Sequence, residues 1–251
     1  MTDGRDENSQ AMYLTPGPGL RIAWASLRKS VSAWVSLICI TVFLGVWTVS
    51  LLQIADYDQI VATLGLSYPG VVQRHCLCQF ITAPILHVGI WHLLFNMLSL
   101  WLLGPTVEAA MGRLKYLFFS VVCAVSSMAG FLLVNWGTGR ICLGYSGVIF
   151  GILVAQAMLF PNQRLAVLGF FLMKMKYAVL LLAAVELYLT ISPESGGIAN
   201  SAHLFGAVAA LAFLQAGRLW RGVRVRAMAV RSRGKRWARH RDALRDVPKE
   251  L

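Results

Sequence analysis

The chain has 251 residues, of which 57% are hydrophobic and only 14% charged, and it carries a formal net charge of +12. That balance is too apolar for an ordinary soluble domain, so the chain reads as a polytopic membrane protein.

The first thirty residues are polar and include Asp3, Arg5, Asp6, Glu7 and the pair Arg28 and Lys29. No apolar run precedes Val31, and no short apolar stretch ends in a small-residue cleavage site, so the first apolar segment is expected to stay as a membrane anchor. A spanning helix needs about 20 apolar residues. Six runs approach that size: residues 31–52, 88–107, 116–136, 143–160, 177–191 and 202–217. Between the fourth and fifth, residues 165–173 are apolar but are followed by Lys174 and Lys176. They are expected to lie in the membrane interface with the lysines reaching headgroups. The alternative, one longer tilted fifth helix, puts two lysines in hydrocarbon at a cost of at least ~2.5 kcal/mol each near the centre. Three segments are therefore expected: a polar cytoplasmic stretch 1–30, a six-helix membrane domain 31–217 and a basic cytoplasmic tail 218–251.

Lysine and arginine set the orientation. With the amino terminus inside, 21 of the 23 basic residues fall on the cytoplasmic side, twelve of them between Arg218 and Lys249; only Arg74 and Arg140 fall outside. The bias requires an even number of spans, in agreement with six. Most of the positive charge is then a juxtamembrane tail against anionic lipids of the inner leaflet. A run such as residues 231–241 also has the composition of a nucleic-acid patch, but the membrane-surface reading is preferred and no nucleic-acid partner is expected.

This topology sets the depth of the polar residues. The second, fourth and sixth helices all begin on the outer side, and near their starts lie His87, His92 and Asn96, then Ser146, then His203. A serine in a membrane helix ordinarily packs and bonds back to its own helix, and a lone histidine ordinarily bridges two helices. As a group these residues do not fit that pattern. His92 and Asn96 are four apart, so they point the same way from one helix, which is costly unless they face a polar cavity. Ser146 and His203 are a possible nucleophile and its base, with His92 and Asn96 as donors to a developing oxyanion beside the backbone N–H of Ser146. Gly144 and Gly147 flank the serine and allow another backbone to approach, while His203, Gly206 and Ala210 form a small-residue face. The Gly-x-Ser-x-Gly elbow of soluble hydrolases is excluded, because Val148 stands two residues after Ser146. The outer side offers only Asp56, Asp58 and Glu194 as carboxylates, all in loops, while Glu108 and Glu186 fall toward the inner side or mid-helix. A Ser146–His203 dyad is expected, with the histidine oriented by packing and not by a buried acid.

These residues resemble the rhomboid family of intramembrane serine proteases. The likeness is carried by His87 in Leu86-His87-Val88-Gly89, by His92-Leu93-Leu94-Phe95-Asn96, by Leu103-Gly104, by Glu108, by Gly144-Tyr145-Ser146-Gly147 and by Ala202-His203 with Gly206. It covers roughly residues 31–217. The resemblance implies an all-α polytopic bundle of six transmembrane helices with an interfacial first outer loop. It implies Ser146 as nucleophile, His203 as general base, His92 and Asn96 as oxyanion donors, and His87 as a nearby outer residue. It implies cleavage of single-pass or polytopic membrane proteins within or beside a transmembrane segment, without cofactor or metal.

Two positions depart from the family pattern. Trp-Arg is frequent in its first outer loop, where counting back from His87 finds Cys78 and Gln79 here, so loop anchoring and substrate preference are affected. The aromatic stacked on the catalytic histidine is often Tyr, and here it is Phe150, which stacks but cannot hydrogen-bond. Cys39 and Cys123 lie within helices, whereas Cys76, Cys78 and Cys142 lie in outer segments where a bridge from Cys142 to Cys76 or Cys78 is one reading. His75 with Cys76 and Cys78 lacks the spacing of a usual zinc site.

Three functional classes are distinguished. An active protease is favoured. A catalytically silent rhomboid-like protein that binds membrane clients is disfavoured by retention of Ser146, His92, Asn96 and His203. A transporter is disfavoured by the lack of paired buried acids and of an inverted repeat. The charge bias and the missing targeting signal suggest a bacterial inner membrane, with both termini cytoplasmic and the active site open to the periplasm.

Overall fold

The computed structural model describes residues 30–167, 171–191 and 200–217. The chain divides into two compact units, Met1–Ala210 and Leu211–Leu251; the second is described over residues 211–217, which are helical. The polar amino-terminal stretch and the basic tail lie outside the described residues.

The described chain is mostly helical. Helix α1 (Val31–Leu51) starts where the polar stretch gives way to an apolar run, and its N-cap, Ser30, accepts a hydrogen bond from the Ala33 N–H through its hydroxyl. Most of its large apolar side chains, Trp34, Leu37, Leu44 and Trp47 among them, are exposed, as lipid contact requires. Further on come α4 (Ile90–Met111) and α5 (Arg113–Val134), joined by Gly112 alone. Gly112 has φ +82° while its N–H bonds the Glu108 carbonyl, a chain reversal that disfavours any residue with a Cβ. Among the described residues, α1, α4 and α5 are the helices long and apolar enough to cross a membrane.

One buried carboxyl fastens α1 to α4. Glu108, in the last turn of α4, accepts from the Ser30 hydroxyl at 2.9 Å, the Val31 N–H at 2.8 Å and the Ser32 N–H at 3.2 Å. The Ser32 hydroxyl lies 3.3 Å from the same carboxyl and 3.0 Å from the Tyr116 hydroxyl of α5. The first backbone N–H groups of α1, which have no partner within the helix, are thus satisfied by an acid from another helix at the end where the dipole favours negative charge. The same corner leaves no space at Gly104, where a Cβ would crowd the Ser32 hydroxyl.

The segment between α1 and α4 is built from short pieces: α2 (Tyr57–Leu64), β1 (Leu66–Ser67), a π-turn over Pro69–Gln73, α3 (Gln79–Thr82) and a 3₁₀ turn over Ala83–Ile85. Strand β1 pairs antiparallel with β2 (Ile141–Cys142), Leu66 opposite Cys142. An apolar cluster of Leu66, Val71, Ala83, Met128, Phe131, Cys142 and Ala202 sits beneath the segment and seats it on the helices. The cysteine bridge does not form: Cys76, Cys78 and Cys142 are all free. The Cys142 side chain is buried in that cluster, while Cys78 is exposed.

Helix α6 (Ser146–Leu159) packs against α4, α5 and α7, and residues on every side of it are buried. Its 14 residues cover ~21 Å, short of the ~30 Å hydrocarbon thickness. In the stretch expected to lie in the interface, β3 (Arg164–Val167) and β4 (Phe171–Lys174) pair as antiparallel strands. Arg164 stands opposite Lys174, Leu165 opposite Met173 and Ala166 opposite Leu172 in the ladder. Helix α7 (Met175–Ile191) follows without a break, so Lys176 falls in its first turn. Residues 200–217 form the last described helix, α8.

Replacing Glu108 by alanine is expected to strand the Val31 and Ser32 N–H groups and lower the unfolding free energy by about 2–4 kcal/mol. Equilibrium unfolding in detergent micelles measures this, and a curve superimposable on that of the unaltered protein would contradict the role assigned to Glu108.

Candidate functional site

Ser146 is the first residue of α6, and the turn before it determines what the serine faces. Gly144 has φ +105°, and its N–H donates to the Ala83 carbonyl at 2.9 Å. A Cβ on Gly144 would lie 2.7 Å from the His92 ring, so this glycine is needed both for its backbone angle and for space. Tyr145 is buried beneath the turn, while Ser146 itself is half-buried and reachable. As the first helical residue, Ser146 has no acceptor for its N–H within α6, and that N–H lies at the positive end of the helix.

His203, near the start of α8, meets the serine. Its Nε2 is 2.7 Å from Ser146 Oγ. The meeting follows from backbone contact, because a Cβ on Gly206 would collide with the Gly147 carbonyl and one on Gly147 with the Ser127 hydroxyl. The face of the imidazole is covered by Phe150, ring centroids 4.6 Å apart and planes within 5° of parallel. Phe150 therefore retains the stack expected of an aromatic at that position.

His92, Asn96 and His87 lie on the approach to the same corner. The His92 ring rests against Gly144, two residues before Ser146, and stands 5.1 Å from the His87 ring. Asn96 is buried; its amide nitrogen donates to the His92 carbonyl at 2.8 Å, and its Oδ1 has no partner among the described residues. One of its two amide N–H groups is thus engaged on its own helix, leaving the other as a donor. His87 precedes α4 and is buried, with Nδ1 3.3 Å from the Ile85 carbonyl. Burial, assisted by the neighbouring His92, pulls its pKa down to about 4 against a weaker upward pull from the Ile85 carbonyl, so His87 is neutral at ordinary pH.

A carboxylate stands beside the Ser146–His203 pair, where the sequence reading placed none. Glu186 of α7 brings Oε1 to 3.0 Å from His203 Nδ1, and each side chain is 13% exposed. The two atoms are in contact off the direction of the ring N–H, so the pair is close without being an aligned hydrogen bond. Chain position hid this acid, since residue 186 falls well past the middle of an apolar helix, far in sequence from both Ser146 and His203. The available signal was the cost of a lone carboxyl in an apolar span, which marks a functional position with a partner nearby.

The departure at Cys78 and Gln79 also has a structural answer. Gln79 is fully buried inside the first loop, where Oε1 accepts from the Ser67 N–H at 3.2 Å and Nε2 donates to the Thr63 carbonyl at 2.9 Å. A Cβ at Gly70 would strike its amide, so the π-turn closes directly over this side chain. Thr82 adds a bond from its hydroxyl to the Leu64 carbonyl at 2.6 Å. The loop is anchored through an uncharged amide.

The chain is similar to proteins of the rhomboid family. The family model of the Rhomboid domain matches residues 74–218. The chain is 29% identical over 161 residues to the rhomboid protease GlpG of Pectobacterium atrosepticum, covering 64% of this chain and 55% of that protein. It is 29% identical over 136 residues to the putative rhomboid protease YdcA of Bacillus subtilis, covering 51% and 61% respectively. It is 28% identical over 134 residues to Rhomboid-like protein 15 of Arabidopsis thaliana, covering 48% and 33%. The chain thus spans between a third and about three fifths of the length of these relatives.

The depressed His87 pKa has a checkable sign. An unfolded chain takes up this proton near pH 6.5 and the folded chain near 4, so the stability contributed is fully present above about 6.5 and is lost as pH falls toward 4. Histidine NMR in micelles, with the His87 signal assigned by its loss in His87→Asn, is expected to show a midpoint near 4. A midpoint at or above 6.5 would contradict the buried placement.

Proposed function

The chain belongs to the rhomboid family, and from that premise we propose that it is an intramembrane serine endopeptidase that cleaves transmembrane segments of other membrane proteins. The observation that carries this reading is the 2.7 Å contact between His203 Nε2 and Ser146 Oγ at the start of a short apolar helix. A hydroxyl becomes a competent nucleophile when a base accepts its proton, and His203 stands within hydrogen-bond reach to do so.

The reaction proceeds by acyl transfer. Ser146 Oγ attacks the scissile carbonyl as its proton passes to His203 Nε2. The oxyanion that develops is met by the Ser146 N–H, by the His92 ring and by the second amide N–H of Asn96. His203 then returns the proton to the departing amine, and water, activated in turn by His203, hydrolyses the ester on Ser146. Gly144, Gly147 and Gly206 hold the backbones close enough for these contacts, Phe150 fixes the ring plane, and His87 lines the approach beside His92.

The full reading places six spans in the membrane, both termini on the cytoplasmic side and the site under a water-filled mouth on the outer side, in a bacterial inner membrane. Three observations support it: 21 of 23 basic residues fall on the inner side of this topology, the polar cluster gathers at the start of α4, α6 and α8, and α6 is too short to carry Ser146 to the surface. A single-pass or polytopic substrate enters laterally beside α7 and unwinds locally, so small or helix-weakening residues near the cut are favoured. The basic tail rests on anionic lipids.

Labelling with a fluorophosphonate tests the reading. The unaltered protein is expected to label and to cleave a tagged single-span substrate. Ser146→Ala should abolish both, and His203→Ala should reduce cleavage at least ~10³-fold. Labelling that persists without Ser146 would overturn the assignment. A properly folded, unaltered protein that cleaves no single-span substrate would favour a silent client-binding role.

A further inference from the structure

Glu186 is an acid at the site for which neither catalysis nor fold has yet supplied a use. Only Met175 and Ala178 of α7 are buried, both in its first turn, so the half of the helix that carries Glu186 is held by little apolar packing. Among the described residues, no hydrogen bond explains its carboxyl. Oε1 contacts His203 Nδ1 at 3.0 Å, and Oε2 is buried with no hydrogen-bond partner among the described residues. A carboxyl so placed in an apolar helix is costly, and the group that would offset that cost is the imidazole beside it.

Building on the protease reading above, we propose that Glu186 is a positioning residue for His203: it selects the tautomer with the proton on Nδ1 and stabilises the imidazolium that forms when Ser146 gives up its proton. The geometry supports both parts. For Nε2 to accept from Ser146 Oγ, its lone pair must be free, which requires the ring proton to sit on Nδ1, the nitrogen facing Glu186. In the resting contact the carboxylate lies off the N–H direction, so a small ring or carboxyl rotation is left to complete the bond. That rotation is favoured once Nε2 also carries a proton and the ring is a cation. Phe150 stacks on one face of the ring, planes within 5° of parallel, and opposes tipping toward that side. The site then works as a serine, a histidine and an acid drawn from three helices, α6, α8 and α7, with the acid supplied by the helix beside the proposed substrate path.

The test compares Glu186→Gln, which keeps the shape and removes the charge, with Glu186→Asp, which keeps the charge at shorter reach. In the purified full chain, Glu186→Gln is expected to lower kcat about 10- to 100-fold with KM within about twofold, and to slow fluorophosphonate labelling of Ser146 by a similar factor. Glu186→Asp should recover part of that loss. Unchanged kcat in Glu186→Gln, a change confined to KM, or equal losses in both variants that track a lower melting temperature would each overturn the proposal. A second measurement needs no variant at position 186. In ¹⁵N-histidine spectra of the unaltered protein, with the signal assigned by its absence in His203→Ala, His203 should show a protonated Nδ1 and an unprotonated Nε2. The opposite tautomer would overturn the proposal. An unaltered protein that neither labels nor cleaves would count against the protease reading itself, and the tautomer would still decide the role of Glu186.

Discussion

The site depends on one close approach of two backbones. Gly147 of α6 and Gly206 of α8 face each other with no room for a Cβ on Gly206, and that contact brings Ser146, next to Gly147, and His203, three residues before Gly206, to 2.7 Å. Helices with larger residues at these positions would separate to the usual 8–10 Å between axes or more, and two side chains as short as serine and histidine would then not meet. In a membrane this closeness also draws on packing and hydrogen bonding, because lipid offers no hydrophobic drive for helices to associate. The glycines are therefore part of the chemistry although they carry no reactive group.

Two further fastenings keep that contact in place, and each resolves a polar demand the membrane cannot meet. Glu108 gathers the free amino-terminal donors of α1, which ties α1 to α4, the helix that also carries His92 and Asn96. Gln79 does the equivalent in the first loop, bonding two backbone groups from its interior. The β1–β2 pairing then links that loop to the turn containing Gly144.

Much of the site was legible because helical periodicity and membrane topology are strong constraints. Spacing of four put His92 and Asn96 on one face, and the expectation that Ser146 and His203 meet agrees with the 2.7 Å contact between them. Three features were hidden for physical reasons. Glu186 reaches His203 only through the packing of α7, which no local pattern encodes, so the site read as a dyad when an acid stands beside it. Residues 164–167 and 171–174 pair as strands, a form that apolarity alone does not distinguish from a helix. Cys142 points into an apolar cluster, and its side of the strand is set by pairing with Leu66, a long-range register that cysteine spacing does not reveal.

The account stands on Ser146 and His203 meeting through the Gly147–Gly206 contact. A crystal structure of the detergent-solubilised chain after reaction with a fluorophosphonate tests it most directly. The account predicts phosphorus bonded to Ser146 Oγ, His203 Nε2 within hydrogen-bond reach of the adduct, and the Gly147 carbonyl resting on Gly206. An unmodified Ser146, or α6 and α8 held apart with His203 turned away from the adduct, would contradict it.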